Sequence, residues 1–331
     1  MATAPLTTSE IQLIPLVDAD FAQLDLLFDE QCQEWFDLLG WNYTNASQLI
    51  RQVVRDRDLS GYVAMSGNAA IGFIYYVIES NRCSIGEIFI TREWRGLGVD
   101  KRLAEAVLTY LEKFPRIRRI ESQSLSIENQ ASHDFLTGYG FTRLDRNYMS
   151  IALDNYQPLK MFRADSNPSV VHPAPDIFIR AWRDEDFNAS VKVIQSSYKD
   201  TVDSRINNQY CTEEGCADLL AVLTQHVWCG DFLPHIARVA IDQKSNKILG
   251  LLTASRIADG RGHISQISVR PEYQGLRIGR RMIESALKEF AVLNFKTVSL
   301  AVTAVNKNAL HLYESCGFQT VHSFPVFYLD R

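Results

Sequence analysis

Two short loops in this chain gather glycine and arginine where a strand pattern gives way to a helix pattern. In the second of them, Gln274-Gly275-Leu276-Arg277-Ile278-Gly279 follows Ile264, Ile267 and Val269, which Pro271 brings to an end. Ile278, Met282, Ile283, Ala286, Leu287 and Phe290 then recur at helical spacing. Glycines where a loop enters a helix let successive backbone N–H groups converge on one point. The unpaired donors of the first turn add positive partial charge there. The chemistry this offers is anion binding, of a phosphate above all, and Arg277, Arg280 and Arg281 strengthen the preference. The glycines lack the Lys-Ser/Thr pair of a nucleotide phosphate loop and the spacing of a dinucleotide fingerprint.

A single glycine-bearing helix start more often serves a tight turn than a ligand. Here the pattern occurs twice. Arg95-Gly96-Leu97-Gly98-Val99-Asp100 lies in the same place between a strand pattern and an amphipathic helix, and Arg95 matches Gln274 at an offset of 179 residues. Asn129 matches Asn306, and Gly140-Phe141 matches Gly317-Phe318, each at an offset of 177. The chain is therefore an internal duplication at the scale of a domain.

The elements around the loops repeat as well. In the first half, IQLIPL reads as a strand, Asp18 to Phe28 as a capped helix and Ala46 to Arg55 as a second helix. The joining EQCQEWFDLLGWNYT is read as packing against the sheet. A hairpin about Ser66-Gly67-Asn68 follows, then the strand Ser84 to Ile90, the loop and its helix. A strand near Ile120 to Leu125, a short helix from Gln130 and a strand from Tyr148 to Leu153 are expected to close the first unit. Residues 157–175 hold Pro158, Pro168, Pro173 and Pro175 with little apolar periodicity and read as a linker. The second half repeats the order and ends on a strand from Val321 to Leu329. The domains are thus expected at 1–156 and 176–331.

With 331 residues, 46% hydrophobic and 22% charged, the composition is that of a soluble globular protein with room for two domains. A net charge of -5 argues against nucleic acid as the main partner and suits cationic ones. No leader or membrane-spanning run is apparent. The six cysteines are scattered without a Cys-x-x-Cys pair, which points to buried thiols in a reducing, cytoplasmic compartment and to no metal site.

With these residues in view, both halves resemble the GNAT superfamily of acyl-CoA-dependent N-acyltransferases, whose loop reads Gln/Arg-x-x-Gly-x-Gly/Ala and is followed later by a Tyr and a Gly-Phe pair. The resemblance covers nearly the whole chain. It implies an α/β (α+β) class with two domains, each a mixed, mostly antiparallel sheet flanked by helices. It also implies that acetyl-CoA is the cofactor and a small-molecule or peptide amine the acceptor. By the same resemblance Gln274, Gly275, Leu276, Arg277, Ile278, Gly279 and Arg280 bind the pyrophosphate of coenzyme A, and the splayed strand at Ile267 and Val269 pairs with the pantetheine arm. Asn306 turns toward the cofactor, and Tyr313 protonates or orients the departing thiolate.

The copies differ where this chemistry is concerned. The first has Asp100 where the signature has Gly or Ala, and a carboxylate opposes two phosphate charges. It also has Leu136 where the second has Tyr313, and leucine can neither donate a proton nor orient a sulfur. The second copy keeps Gly279 but has Arg277 at the signature's first glycine. An amine nucleophile needs a general base, which many relatives supply as a Glu on the strand before the loop. The first copy has Glu87 there and the second Gln266, which leaves His263, of suitable intrinsic pKa, as the candidate. Catalysis is expected in the C-terminal domain. Two other readings stay open: a coenzyme A-sensing protein without turnover, and activity in the N-terminal domain with Glu87 as base.

Overall fold

The computed structural model describes residues 11–123, 130–154 and 176–331. The expected linker and Asn129 lie outside the described residues. The chain forms two compact units, one of residues 1–146 with 323–331 and the other of residues 147–322.

The first unit begins with β1 (Ile11–Pro15), α1 (Phe21–Leu39) and α2 (Thr44–Arg55). The strands β2 (Ser60–Ser66), β3 (Ala69–Glu79) and β4 (Arg82–Ile90) follow, and then α3 (Val99–Leu111), β5 (Arg119–Ser122), α4 (Gln130–Tyr139) and the start of β6 (Thr142–Ala152). Strands β1 to β4 are antiparallel in sequence order, and β5 joins β4 in parallel. Asp20 starts α1 by accepting the Ala22 N–H at 2.9 Å. The helix runs on to Leu39 and stops at Gly40, whose φ of 64° only glycine adopts freely. Two-thirds of the expected joining segment, Glu30 to Leu39, is therefore part of α1. Trp35 stacks on Tyr43 at 4.3 Å and Trp41 is buried, as packing requires, but Phe36 and Leu38 on the same segment are exposed.

The second unit repeats the plan. It comprises β7 (Ile177–Ala181), α5 (Phe187–Tyr198), α6 (Val202–Ile206), α7 (Glu213–Gln225), β8 (Asp231–Phe232), β9 (Arg238–Asp242), β10 (Lys247–Ala258) and β11 (Arg261–Val269). It continues with α8 (Ile278–Val292), β12 (Thr297–Thr303), α9 (Lys307–Ser315) and the start of β13 (Gln319–Asp330). Strands β7, β9, β10 and β11 are antiparallel and β12 joins β11 in parallel. On one face, Leu252, Ala254, Ile264, Val298, Leu300 and Val302 form a core with Ile278, Met282, Ile283, Ala286, Leu287 and Phe290 of α8. The helical spacing of those six residues exists because that stripe must meet an apolar sheet face.

The closing strands are where the structure departs from the sequence reading. From Asn147 onward β6 belongs to the second unit: Met149 and Leu153 are in its core, and the Leu153 N–H donates to the Lys296 carbonyl at 2.8 Å. Conversely, the end of β13 belongs to the first unit, where Phe327 to Asp330 pair antiparallel with Ser122 to Arg119 of β5. Each half of the chain thus closes the other's unit, whereas the sequence reading closed each unit with its own last strand. Period-2 alternation fixes which residues of a strand are buried but not which neighbour they are buried against.

Candidate functional site

The strand before each loop carries an extra residue at the same place. On β11, Gln266 pairs with Thr253 and Ile264 with Ala254, so Ser265 has no partner on β10. On β4, Glu87 pairs with Tyr75 and Ile85 with Tyr76, so Gly86 is passed over. A bulge bends and twists its strand and ends regular pairing. The parallel ladder accordingly stops there: β11 and β12 pair from Arg261–Thr297 to Ile264–Leu300, although β11 continues to Val269 and β12 to Thr303. The result is a V-shaped opening that leads to the loop. Ile267 and Val269 lie on its splayed arm.

At the head of the second opening, Gly275 has φ 80° with open space where a side chain would stand, and Arg277 has φ 59°. The first loop has the same left-handed positions at Gly96 and Gly98. Arg277 therefore takes a conformation that glycine takes at no cost, at about 1 kcal/mol. No side chain caps α8, and its first turn holds no acidic residue, so its N–H donors face the loop unopposed. Arg277 is exposed there. Of the other two arginines, Arg280 donates to Glu284 at 2.9 Å, and Arg281 reaches the Ile177 carbonyl at 3.1 Å. The cluster of three expected around the loop is thus one exposed guanidinium, one ion-paired one and one turned to β7. Gln274 donates to the Val269 carbonyl at 3.2 Å, tying loop to strand.

The first loop is built differently. Asp100 sits in the first turn of α3, buried, and accepts a hydrogen bond from Ser132. The counterpart of Ser132 in the second unit is Ala309, just as Gly279 is that of Asp100. Arg95 is ion-paired with Glu34 of α1, and the Arg92 N–H donates to Glu30 at 3.0 Å. Two carboxylates and the end of α1 thus surround this loop. At its bulge, a Cβ on Gly86 would stand 2.0 Å from the Tyr75 ring, so that ring covers the strand where the second unit has Ser265. Tyr43, Tyr75 and Glu87 form one buried group, and burial with these neighbours pushes the Tyr43 phenol well above its usual range.

On the α5 side of the second opening, Tyr198 and Tyr210 stack at 3.9 Å. Tyr198 donates to the Ile267 carbonyl at 3.3 Å, and Tyr210 to Gln266 Oε1 at 3.1 Å. Gln266 Nε2 donates to Ser268 at 2.9 Å. His263 lies apart from the splayed arm, on the paired part of β11. It is 6% exposed, with Nδ1 2.9 Å from Ser299 Oγ, which also accepts from the Tyr148 hydroxyl at 2.7 Å. Burial pushes the Tyr148 phenol up to about 12. Asn306 is the N-cap of α9, accepting the Ala309 N–H at 3.2 Å, while its amide donates to Asp203 at 3.1 Å. Its side chain is thereby committed to a cap and an acid.

Tyr313 is half-buried on α9, edge-on to Phe318 at 6.3 Å. The preceding residue, Leu312, lies 3.3 Å from where a Cβ on Gly279 would be, so the tyrosine's helix adjoins the loop. The cysteines differ from expectation, since only Cys83, Cys216 and Cys316 are buried and Cys211 is exposed; all six are free. Burial pushes the Cys316 thiol up to about 11. What sequence reasoning missed is the bulge, for which the alignment of Gly86 with Ser265 was the available signal, and the tyrosine pair of the α5 side.

A strand that leaves its parallel neighbour at a bulge and leads to a glycine-bearing helix start, twice over, agrees with the comparisons. The acetyltransferase (GNAT) family model matches residues 22–141 and 208–318, and the chain belongs to that family. It is 35% identical over 96 residues to the spermidine N(1)-acetyltransferase of Vibrio cholerae, covering 28% of this chain and 56% of that one. It is 30% identical over 103 residues to the N-alpha-acetyltransferase daf-31 of Caenorhabditis elegans, covering 29% and 56%. The chain thus spans about half the length of these curated relatives. Among solved structures, a GCN5-related N-acetyltransferase from Sphaerobacter thermophilus superimposes with a TM-score of 0.65 at 16% identity, over 98% of this chain and 97% of that one. A tandem GNAT protein from the clavulanic acid biosynthesis pathway gives 0.56 at 14%, over 97% and 98%. These last two likenesses concern the fold.

Replacing Arg277 by glycine separates backbone strain from charge. Arg277→Gly is expected to leave the melting temperature unchanged or raised, because the left-handed position is relaxed, and to weaken coenzyme A binding several-fold. Thermal melts and calorimetric titration check both. An unchanged affinity would remove the guanidinium from the site.

Proposed function

We propose that the protein transfers an acetyl group from acetyl-CoA to a primary amine, and that the second unit does so. The observation that carries this reading is the opening at Ser265, which leads to a helix start free of acidic residues. The residues present fit the cofactor. Gly275, Leu276, Arg277, Ile278, Gly279 and Arg280 would hold the pyrophosphate by backbone N–H groups and charge, with Gln274 fixing the loop. The backbone of Ile267 and Val269 would hold the pantetheine arm. When bound, acetyl-CoA supplies an activated acyl group on a sulfur leaving group. Tyr313 holds a phenolic proton on the helix next to the loop.

Asn306 keeps α9 in place through its cap, and its amide is assigned to positioning rather than to direct contact. His263 is likewise assigned to positioning, through Ser299 and Tyr148. Gln266 cannot accept a proton from an ammonium group at neutral pH. The amine is therefore expected to enter in its neutral form, and kcat/KM should rise with pH toward the pKa of the amine itself. Thiol release from acetyl-CoA across a panel of amines, with the product identified by mass spectrometry, tests the reading. Transfer only to oxygen acceptors would defeat it, and an inflection near the histidine range, lost in His263→Gln, would make His263 the base. The companion reading, that the first unit is the competent one, has Glu87 in its favour but must place phosphates beside Asp100 and Glu34.

A further inference from the structure

The segment from Tyr198 to Tyr210 bridges the two arms of the second opening. At both its ends it is tied to β11 beyond the bulge: Tyr198 donates to the Ile267 carbonyl at 3.3 Å and Tyr210 to Gln266 Oε1 at 3.1 Å. Just before it, Ser197 donates to the Val269 carbonyl at 3.0 Å. In its middle, on α6, Asp203 turns to the other arm. One of its carboxylate oxygens accepts from Thr303 Oγ1 at 2.6 Å and the other from Asn306 Nδ2 at 3.1 Å. Thr303 ends β12, three residues beyond the last pair of the parallel ladder, and Asn306 caps α9.

A carboxylate has lone pairs on both oxygens and no proton to give, so Asp203 fixes the sense of both bonds. Asn306 must present its nitrogen to the acid. Its oxygen is thereby left for the Ala309 N–H, which makes the cap. The cap matters because α9 is nine residues long and none of them is fully buried, so its direction rests on its ends more than on its packing. Tyr313 stands seven residues after Asn306, two turns on and on the same face of the helix. The first unit is built otherwise: α1 runs unbroken over 19 residues, whereas α5 ends after 12 and Asp200, at φ 61°, turns the chain toward α6.

We propose that Asp203 is a positioning residue of the transferase site: through α6 it links the start of α9 to the splayed arm of β11, and so aims the Tyr313 hydroxyl at a thioester held along that arm. The inference rests on the second unit being the transferase site, with Tyr313 as its proton donor. In this role Asp203 touches neither substrate and acts through Asn306. Hydrogen bonds to a charged acceptor are about twice as strong as those between neutral groups, which suits the acid to the task. Aim is worth a great deal, since a misplacement of about 1 Å at a reacting group can cost about 100-fold in rate.

The test is a set of variants of the full-length protein. Asp203→Ala is expected to lower kcat by about 10- to 100-fold while coenzyme A affinity stays within about threefold, because the loop before α8 is untouched. Asp203→Asn should recover most of that loss, since its oxygen can accept from Asn306 and its nitrogen can donate to Thr303 Oγ1. In the Asp203→Ala background, Tyr313→Phe should cost at least about tenfold less than in the parent, because a phenol already out of line has less to lose. An unchanged kcat in Asp203→Ala, or an undiminished effect of Tyr313→Phe in that background, would overturn the proposal. So would Asp203→Asn as slow as Asp203→Ala, which would make the acid a proton carrier. The clasp is also read without turnover: in Asp203→Ala, amide exchange followed by NMR should speed up at the Ala309 N–H by about tenfold or more, with α8 unaltered. If the parent acetylates no amine, the transferase reading fails. Exchange at Ala309 then still decides the clasp, a faster rate upholding it and an unaltered one overturning it.

Discussion

Gly279→Asp is expected to weaken coenzyme A binding by about 100-fold or more and to abolish turnover. A Cβ at this position would meet Leu312 at 3.3 Å and Val269 at 3.9 Å, so the new carboxylate would start among apolar groups at the start of α8. Like unit charges 5–6 Å apart at an effective dielectric of about 20 repel by about 3 kcal/mol, which is the source of the estimate. The first unit accommodates the same carboxylate through Ser132. The second offers Ala309 there. Gly279→Ala serves as the control: its added methyl needs Leu312 to give by only a few tenths of an ångström, so affinity should change little. Adding Ala309→Ser to Gly279→Asp should restore stability without restoring binding. Calorimetric titration with coenzyme A reads all three, and near-parental affinity in Gly279→Asp would move the cofactor site away from this loop.

Tyr313→Phe is expected to lower kcat by about 10²–10⁴-fold while coenzyme A affinity changes little. The substitution keeps the ring that meets Phe318 and removes only the hydroxyl. A tyrosine that merely packed the core would behave in the opposite way. Leaving its hydroxyl's partner unpaired would lower the melting temperature, with a nearly normal rate in the folded fraction. Turnover and melting temperature measured on one preparation therefore decide its role. An unchanged kcat would exclude Tyr313 from the chemistry.

The loops, the duplication and the family were legible because they depend on local sequence. Glycine at Gly96, Gly98 and Gly275 marks left-handed backbone, and the stripe from Ile278 to Phe290 marks a helix with one buried face. Features that depend on which distant segment becomes a neighbour were not legible. Arg281 looks like part of a cationic cluster until β7 brings the Ile177 carbonyl to it. His263 looks like a base until β12 and β6 bring Ser299 and Tyr148. Asn306, read by resemblance as turning toward the cofactor, instead caps α9, a local role that Asn at a helix start readily takes. The bulge at Ser265 follows from a mismatch of one residue between paired strands, which no single strand reveals.

The reciprocal closing strands set the order in which the two units can be completed during synthesis. The second unit needs only residues 147–322, whereas the first lacks a strand until residues 323–331 have been made. Domains ordinarily fold from the N-terminus as they emerge. Here the earlier-made unit waits for a strand made after the second unit, with the edge of β5 unpaired for roughly 10–40 s at ordinary elongation rates. An uncovered edge of that kind invites pairing with other chains. Premature termination anywhere after Arg146 would therefore strand the first unit, however well the second had formed. Cutting the chain at the linker would likewise yield two fragments, each carrying the other's missing strand.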